Sequence, residues 1–102
     1  MQTYNILLNL DPNIFKKFSA GEPTDIRRIF KDSVKNFNGE VISFYLMIGG
    51  EYNCATIIEL QDKIKLALLI LELKRISYLD NYKVYSMFSE SEFKKFIKSI
   101  KV

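Results

Sequence analysis

Histidine is missing from this sequence altogether. Its absence removes the commonest general base near neutral pH and the commonest transition-metal ligand, and with them histidine-dependent triads and zinc hydrolysis. Cysteine is nearly as scarce. Cys54 stands alone, which excludes an internal disulfide and a cysteine-based zinc site. With no histidine to activate it, the thiol reads as a small buried hydrophobe. Long hydrophobic runs are lacking too: Leu66 to Leu71 is the longest, far short of the roughly 20 residues a membrane span requires. Met1-Gln2-Thr3-Tyr4-Asn5 does not have the basic-then-apolar layout of a secretory signal. Repeats, low-complexity tracts and domain-dividing linkers are also missing. We therefore expect a cytoplasmic protein with neither metal nor cofactor and no membrane partner.

What is present suits one globular domain over residues 1–102. Apolar residues make up 48% and charged residues 26%, an ordinary globular balance. The net charge of +3 is spread among acidic residues along most of the chain, a weak pointer to an acidic partner. The organising stretch is Val41 to Leu60, where two runs of β-branched and aromatic residues flank Gly49-Gly50, a strand-turn-strand signal. Glycine there supplies a positive φ without steric cost. No helix start follows, so the pair is not a phosphate loop.

Around this hairpin the other elements fall into order. Tyr4 to Leu10 alternates, with Ile6, Leu8 and Leu10 on one face and Asn5, Leu7 and Asn9 on the other. Asp11-Pro12 opens a short helix carrying Ile14, Phe15 and Phe18, closed by Gly21. Pro23-Thr24, with Thr24 as cap, opens a second helix whose stripe is Ile26, Ile29, Phe30, Val34 and Phe37, stopped at Asn38-Gly39. Asp62 caps a third helix reaching Ser77, and its apolar residues cover well over half of the helical wheel. Tyr82 to Phe88 is a last strand. Ser89-Glu90-Ser91-Glu92 has the form of a capping box, followed by the stripe Phe93, Phe96, Ile97 and Ile100 opposite a lysine-rich face.

Strand, helix, strand, strand, helix, strand plus a terminal helix predicts an α+β fold: a ferredoxin-like β-α-β-β-α-β plait with a four-stranded antiparallel sheet and an added C-terminal helix. The first and third strands are then central. Helices cover one face, and the other is left open for face-to-face dimerisation. Phe44-Tyr45-Leu46, Gly50-Glu51-Tyr52-Asn53 and an Ala-x-Ile-x-Glu strand at Ala55 resemble the GYD domain family. Over most of the chain the resemblance continues through Pro23, Arg28-Ile29, Phe88-Ser89 and Glu92-Phe93. It implies a ferredoxin-like homodimer forming an α/β barrel, and higher oligomers. Asn53 replaces the signature Asp, which removes a charge from that position.

Alternation places candidate chemistry on the open face. If Ile42, Phe44, Leu46 and Ile48 pack under the helices, then Val41, Ser43, Tyr45 and Met47 face outward. The expected ligand-binding residues are Asn5, Asn9, Ser43, Tyr45, Asn53 and Glu59 among Leu7, Ala55 and Ile57, with Glu51 and Tyr52 at the mouth. Such a mostly apolar surface with a few polar groups suits a small hydrophobic molecule and equally suits a dimer interface. Glu59 is the general-base candidate, and its alternative role is an exposed charge at a strand end. A rival reading is a cofactor-independent oxygenase or isomerase using Tyr45, Asn53 and Glu59. Nucleic acid is not expected, because the central strands offer Asn5, Leu7, Asn9, Asn53, Ala55 and Ile57 where base stacking needs aromatics. The wide apolar belt at Leu66, Leu69, Ile70 and Leu73 predicts a second contact between dimers.

Overall fold

The structure, a computed structural model, describes residues 1–21 and 25–100. Its first strand, β1 (Gln2–Leu10), has the expected alternation, with Tyr4, Ile6, Leu8 and Leu10 buried and the residues between them half-buried. Asp11 then caps α1 (Pro12–Ser19) by accepting from the Asn13 amide at 2.9 Å. The second helix, α2 (Ile26–Asn36), is capped by Asp25, which accepts from the Arg28 amide at 3.0 Å. Pro23 and Thr24 lie outside the described residues. Along α2 the apolar spacing puts Ile26, Phe30 and Val34 in the core, with Ile29 and Phe37 partly buried beside them.

Termination of α2 depends on two different conformational demands. Asn38 adopts a left-handed φ of +59°, and the Gly39 amide donates to the Val34 carbonyl at 3.0 Å. Gly39 itself is required by proximity: a Cβ there would lie 2.7 Å from the Glu59 carbonyl oxygen and 2.9 Å from Val34 Cγ1. The chain passes directly into β2 (Glu40–Leu46), crosses a loop over residues 47–53, and returns as β3 (Cys54–Leu60). Asp62 caps α3 (Lys63–Arg75) on the Lys65 amide at 3.0 Å. Then come β4 (Leu79–Met87) and α4 (Glu90–Ile100). The capping box forms as the residues predict, with the Ser89 amide donating to Glu92 Oε1 at 2.9 Å and the Glu92 amide donating to Ser89 Oγ at 3.2 Å.

The four strands pair antiparallel in the order β2-β3-β1-β4, so β1 and β3 are central. Helix α2 packs on β2 and on α3, and α3 on β3 and β4. Together they cover the sheet face that carries Tyr4, Ile6, Leu8, Ile58 and Leu60. Phe30 sits at the centre of this layer, 5.6 Å from Phe44 and 6.0 Å from Tyr78 between ring centroids. The Tyr78 hydroxyl, fully buried, donates to the Ile26 carbonyl at 2.7 Å and so ties the end of α3 to the start of α2. This is the ferredoxin-like α+β arrangement. Helix α4 buries no residue. The chain measures 55 × 30 × 19 Å with a radius of gyration of 15.2 Å, against about 13 Å for a compact chain of this length. Accordingly α4 stands off the body.

Two expectations about faces are corrected. A β-bulge between Val41 and Ser43 inserts Ile42, so that Val41 pairs with the buried Ile58 while Ser43 pairs with Ile57. Val41 therefore turns toward the helices and Ile42 is exposed, the reverse of a regular alternation. Leu46 is also exposed, and Ile48 lies fully exposed in the loop. On α3, Leu69, Ile70 and Leu73 are buried in the chain's own core and Leu66 packs against it. The apolar excess on this helix appears at Ile64, Leu68 and Leu71.

Candidate functional site: the open face of the sheet

Direct cross-strand partners share a face, so the register defines the surface opposite the helices. Thr3, Asn5 and Leu7 of β1 stand between Glu59, Ile57 and Ala55 of β3 and Met87, Tyr85 and Lys83 of β4. Ser43 and Tyr45 of β2 extend the face beyond Ile57 and Ala55. The centre is apolar, formed by Leu7, Ala55 and Ile57, all half-buried. Asn5, between Ile57 and Tyr85, is the polar exception: its Oδ1 is shielded from solvent and has no hydrogen-bond partner among the described residues. Such an acceptor costs roughly 1–3 kcal/mol until a donor reaches it.

At one end of this face the side-chain amides are committed to holding the loop. Asn9 accepts from the Asn53 amide at 3.0 Å, and its Nδ2 donates to the Glu51 carbonyl at 3.0 Å and to Asn81 Oδ1 at 2.7 Å. Asn53 Oδ1 accepts from the Leu10 amide at 2.9 Å, and its carbonyl accepts from the Met47 amide at 2.8 Å. These bonds tie the loop over residues 47–53 to the end of β1 and to β4. Gly49, with a φ of +92°, supplies the turn itself. Both donors of the Asn9 amide are used internally, and Asn53 has a structural partner for its side-chain oxygen.

Lys83 joins this end from β4 and was not among the residues singled out from the sequence. Hydrogen bonding to the Tyr85 hydroxyl is the chief reason its ammonium is held above the ordinary lysine range, with electrostatic attraction toward Tyr85, Tyr52 and the Glu51 carboxylate adding to the effect. A period-two reading of β4 placed beside β1 would have found it, since Lys83 and Tyr85 face the same way as Leu7 and Asn5. The structure thus gathers Glu51, Tyr52, Asn9, Asn53 and Lys83 at the loop end.

Glu59 lies at the other end, opposite Thr3 on one side and Glu40 on the other. Tyr45 pairs with Ala55, four positions along β3 from Glu59, a separation of about 13 Å at the strand rise. Tyr45, Asn53 and Glu59 therefore do not converge on one reacting atom. Ser43 sits beside Ile57 at the bulge, where its carbonyl accepts from Thr56 Oγ1 at 2.7 Å. Cys54 is buried on the helix side, and burial pushes its thiol up to about 12. Among the described residues no three of His, Cys, Asp and Glu gather to hold a metal ion. No helix among them is long and apolar enough to cross a membrane.

The fold defines a ferredoxin-like α+β domain. No family model matches the sequence, and no curated protein sequence matches it. Among solved structures the chain is similar to the crystal structure of an uncharacterised NIPSNAP-like domain protein from Burkholderia xenovorans. The TM-score is 0.53 at 14% identity, over 88% of this chain and 85% of that one. At that identity the likeness establishes the shared fold.

Proposed function

We propose that this chain is a homo-oligomeric binding module of the GYD type. The open faces of two copies meet and enclose a small hydrophobic ligand between them. The observation that carries the reading is Asn5 Oδ1, without a hydrogen-bond partner among the described residues, set among Leu7, Ile57 and Tyr85 on the sheet face opposite α2 and α3. An apolar floor with one shielded acceptor selects a molecule that is mostly hydrocarbon and bears a hydrogen-bond donor. Lys83 at the loop end adds a cation for a ligand that also bears an anionic group. The enzymatic alternative is not favoured, because Tyr45 and Glu59 stand at opposite ends of the face.

Native mass spectrometry of the purified protein tests this directly. A homo-oligomer carrying a co-purifying small molecule is the expected result, with the adduct lost and the mass of the assembly halved in Ile57→Lys. The half-exposed setting of Ile57 lets that variant fold. A monomer at micromolar concentration with no adduct, or an Ile57→Lys variant that keeps both, would reject the reading.

A further inference from the structure

Two apolar surfaces remain uncovered away from the Ile57 centre of the open face, one of them on the helix side of the sheet. The first is a groove of about 480 Å³ between α3 and the edge strand β4, floored by Leu66, Ala67, Ile70 and Leu71 on one wall and Tyr82 and Val84 on the other. It is open because α3 is the last helix over the sheet and β4 lies beyond it at the edge. Lys63 and Lys74 belong to its lining, which among the described residues contains no carboxylate, and Lys74 Nζ lies 5.3 Å from the centroid of the Tyr82 ring. The second surface is the stripe of α4, Phe93, Phe96, Ile97 and Ile100, every member exposed. Phe88 stacks on Phe96 at 6.1 Å and lies 6.5 Å from Phe93, which holds the stripe in one orientation at its root.

We propose that α4 of one copy lies in the α3–β4 groove of a second copy, and that the exchange is reciprocal about a two-fold axis. Residues three and four apart place the stripe on a single helix face, the form that fits an apolar groove. Charge agrees with the fit. Glu90, paired with Lys94 at 3.2 Å, and Glu92 border the stripe in the first turn of α4, whereas Lys95 and Lys98 lie on the reverse face, and the charged residues of the groove lining are lysines. Area agrees as well. Four large side chains buried from half exposure, together with the smaller lining of the groove and doubled by the two-fold, give about 1,000 Å² in total, the size of a small specific interface.

The position of α4 favours a second copy over its own groove. Only Phe88 and Ser89 separate β4 from α4, and the capping box and the Phe88 ring stack fix the direction in which the helix leaves. Its root is beside the Lys63 end of the groove, since Phe88 and Glu92 share a hollow with Tyr4, Lys63 and Ser86. A two-fold axis near that root brings each helix over the other copy.

Light scattering on the full chain and on two variants, Phe96→Asp in α4 and Ala67→Glu in the groove, tests the exchange. Both positions are exposed in the single chain, so each variant is expected to fold, with the urea transition of the parent at dilutions where the parent is dissociated. Each is expected to halve the parent's mass, whatever contact the Ile57 face makes. An equimolar mixture of the two is expected to regain assembly, because it contains one intact helix and one intact groove. Unchanged mass in both variants overturns the exchange. So does a loss of stability without change in mass, which would mean that α4 folds onto its own groove. Because Ile57→Lys acts on the opposite face, failure there and failure here are read separately.

Discussion

The two faces of this sheet are built from alternate residues of the same strands, yet they have different physical fates. Tyr4, Ile6 and Leu8 are buried beneath α2 and α3, whereas Asn5, Leu7 and Asn9, one position away in each case, are half-buried and mixed in polarity. Strand propensity does not distinguish them. What does is the helix layer, whose stripes meet one face and leave the other to whatever comes next. Stability is therefore expected to reside on one side and recognition on the other.

The sharpest way to break that contrast is a pair of adjacent truncations in β3. Ile58→Ala removes a fully buried side chain and is expected to cost about 2–5 kcal/mol in urea unfolding. Ile57→Ala, on the open face, is expected to cost under about 1 kcal/mol in dilute solution, with any further loss growing with protein concentration. Equal, concentration-independent costs would mean that the open face is not a separate surface.

Gly39 tests where the helix layer meets the strands. Gly39→Ala places a methyl group 2.7 Å from the Glu59 carbonyl oxygen, a backbone atom that cannot swing aside. A cost of about 1–3 kcal/mol is expected in the same unfolding assay. A neutral result would show that α2 and β3 separate there without penalty.

Tyr78 and Cys54 carry the contrast into pH. Tyr78→Phe deletes the donor to the Ile26 carbonyl inside the core and is expected to cost about 1–2 kcal/mol. Burial raises the Tyr78 hydroxyl above its ordinary range and Cys54 to about 12. Raised values favour the protonated folded state: the Cys54 contribution is complete below the ordinary thiol value of 9.0 and is lost as pH rises through about 12, and the Tyr78 contribution is complete below its ordinary 10.0 and is lost at still higher pH. Stability measured from pH 9 upward should fall, and Cys54→Val should remove part of that fall. A flat alkaline profile would contradict the burial of both groups.

Much of this division is legible in the residues themselves. Ile6, Leu8 and Leu10 at period two and Ile26, Phe30 and Val34 at helical spacing predict the covered layer, because burial on both partners leaves little freedom in either pattern. Val41 and Ile42 fail for a physical reason: both are β-branched and apolar, and nothing in their side chains marks the inserted bulge residue. Leu69, Ile70 and Leu73 read as surplus because a helical wheel does not reveal how deep α3 sinks against β3 and β4. Asn9 and Asn53 read as binding groups because their polarity is visible in the sequence, while their use in tying down the loop depends on strands that meet only in the fold.

The smallest expected effect is also the one that best isolates the open face. Glu40 and Glu59 pair directly across β2 and β3, on the side away from the helices. Like charges so placed repel, by an amount comparable to the gain from an opposite pair, roughly 0.2–1 kcal/mol. Glu59→Lys converts repulsion into attraction without touching the core, so a modest rise in stability is expected, shrinking as salt is added. Loss of stability instead would show that the Glu59 carboxylate has a favourable partner on that face. The repulsion would then be the cost of keeping a charge where the open surface uses it.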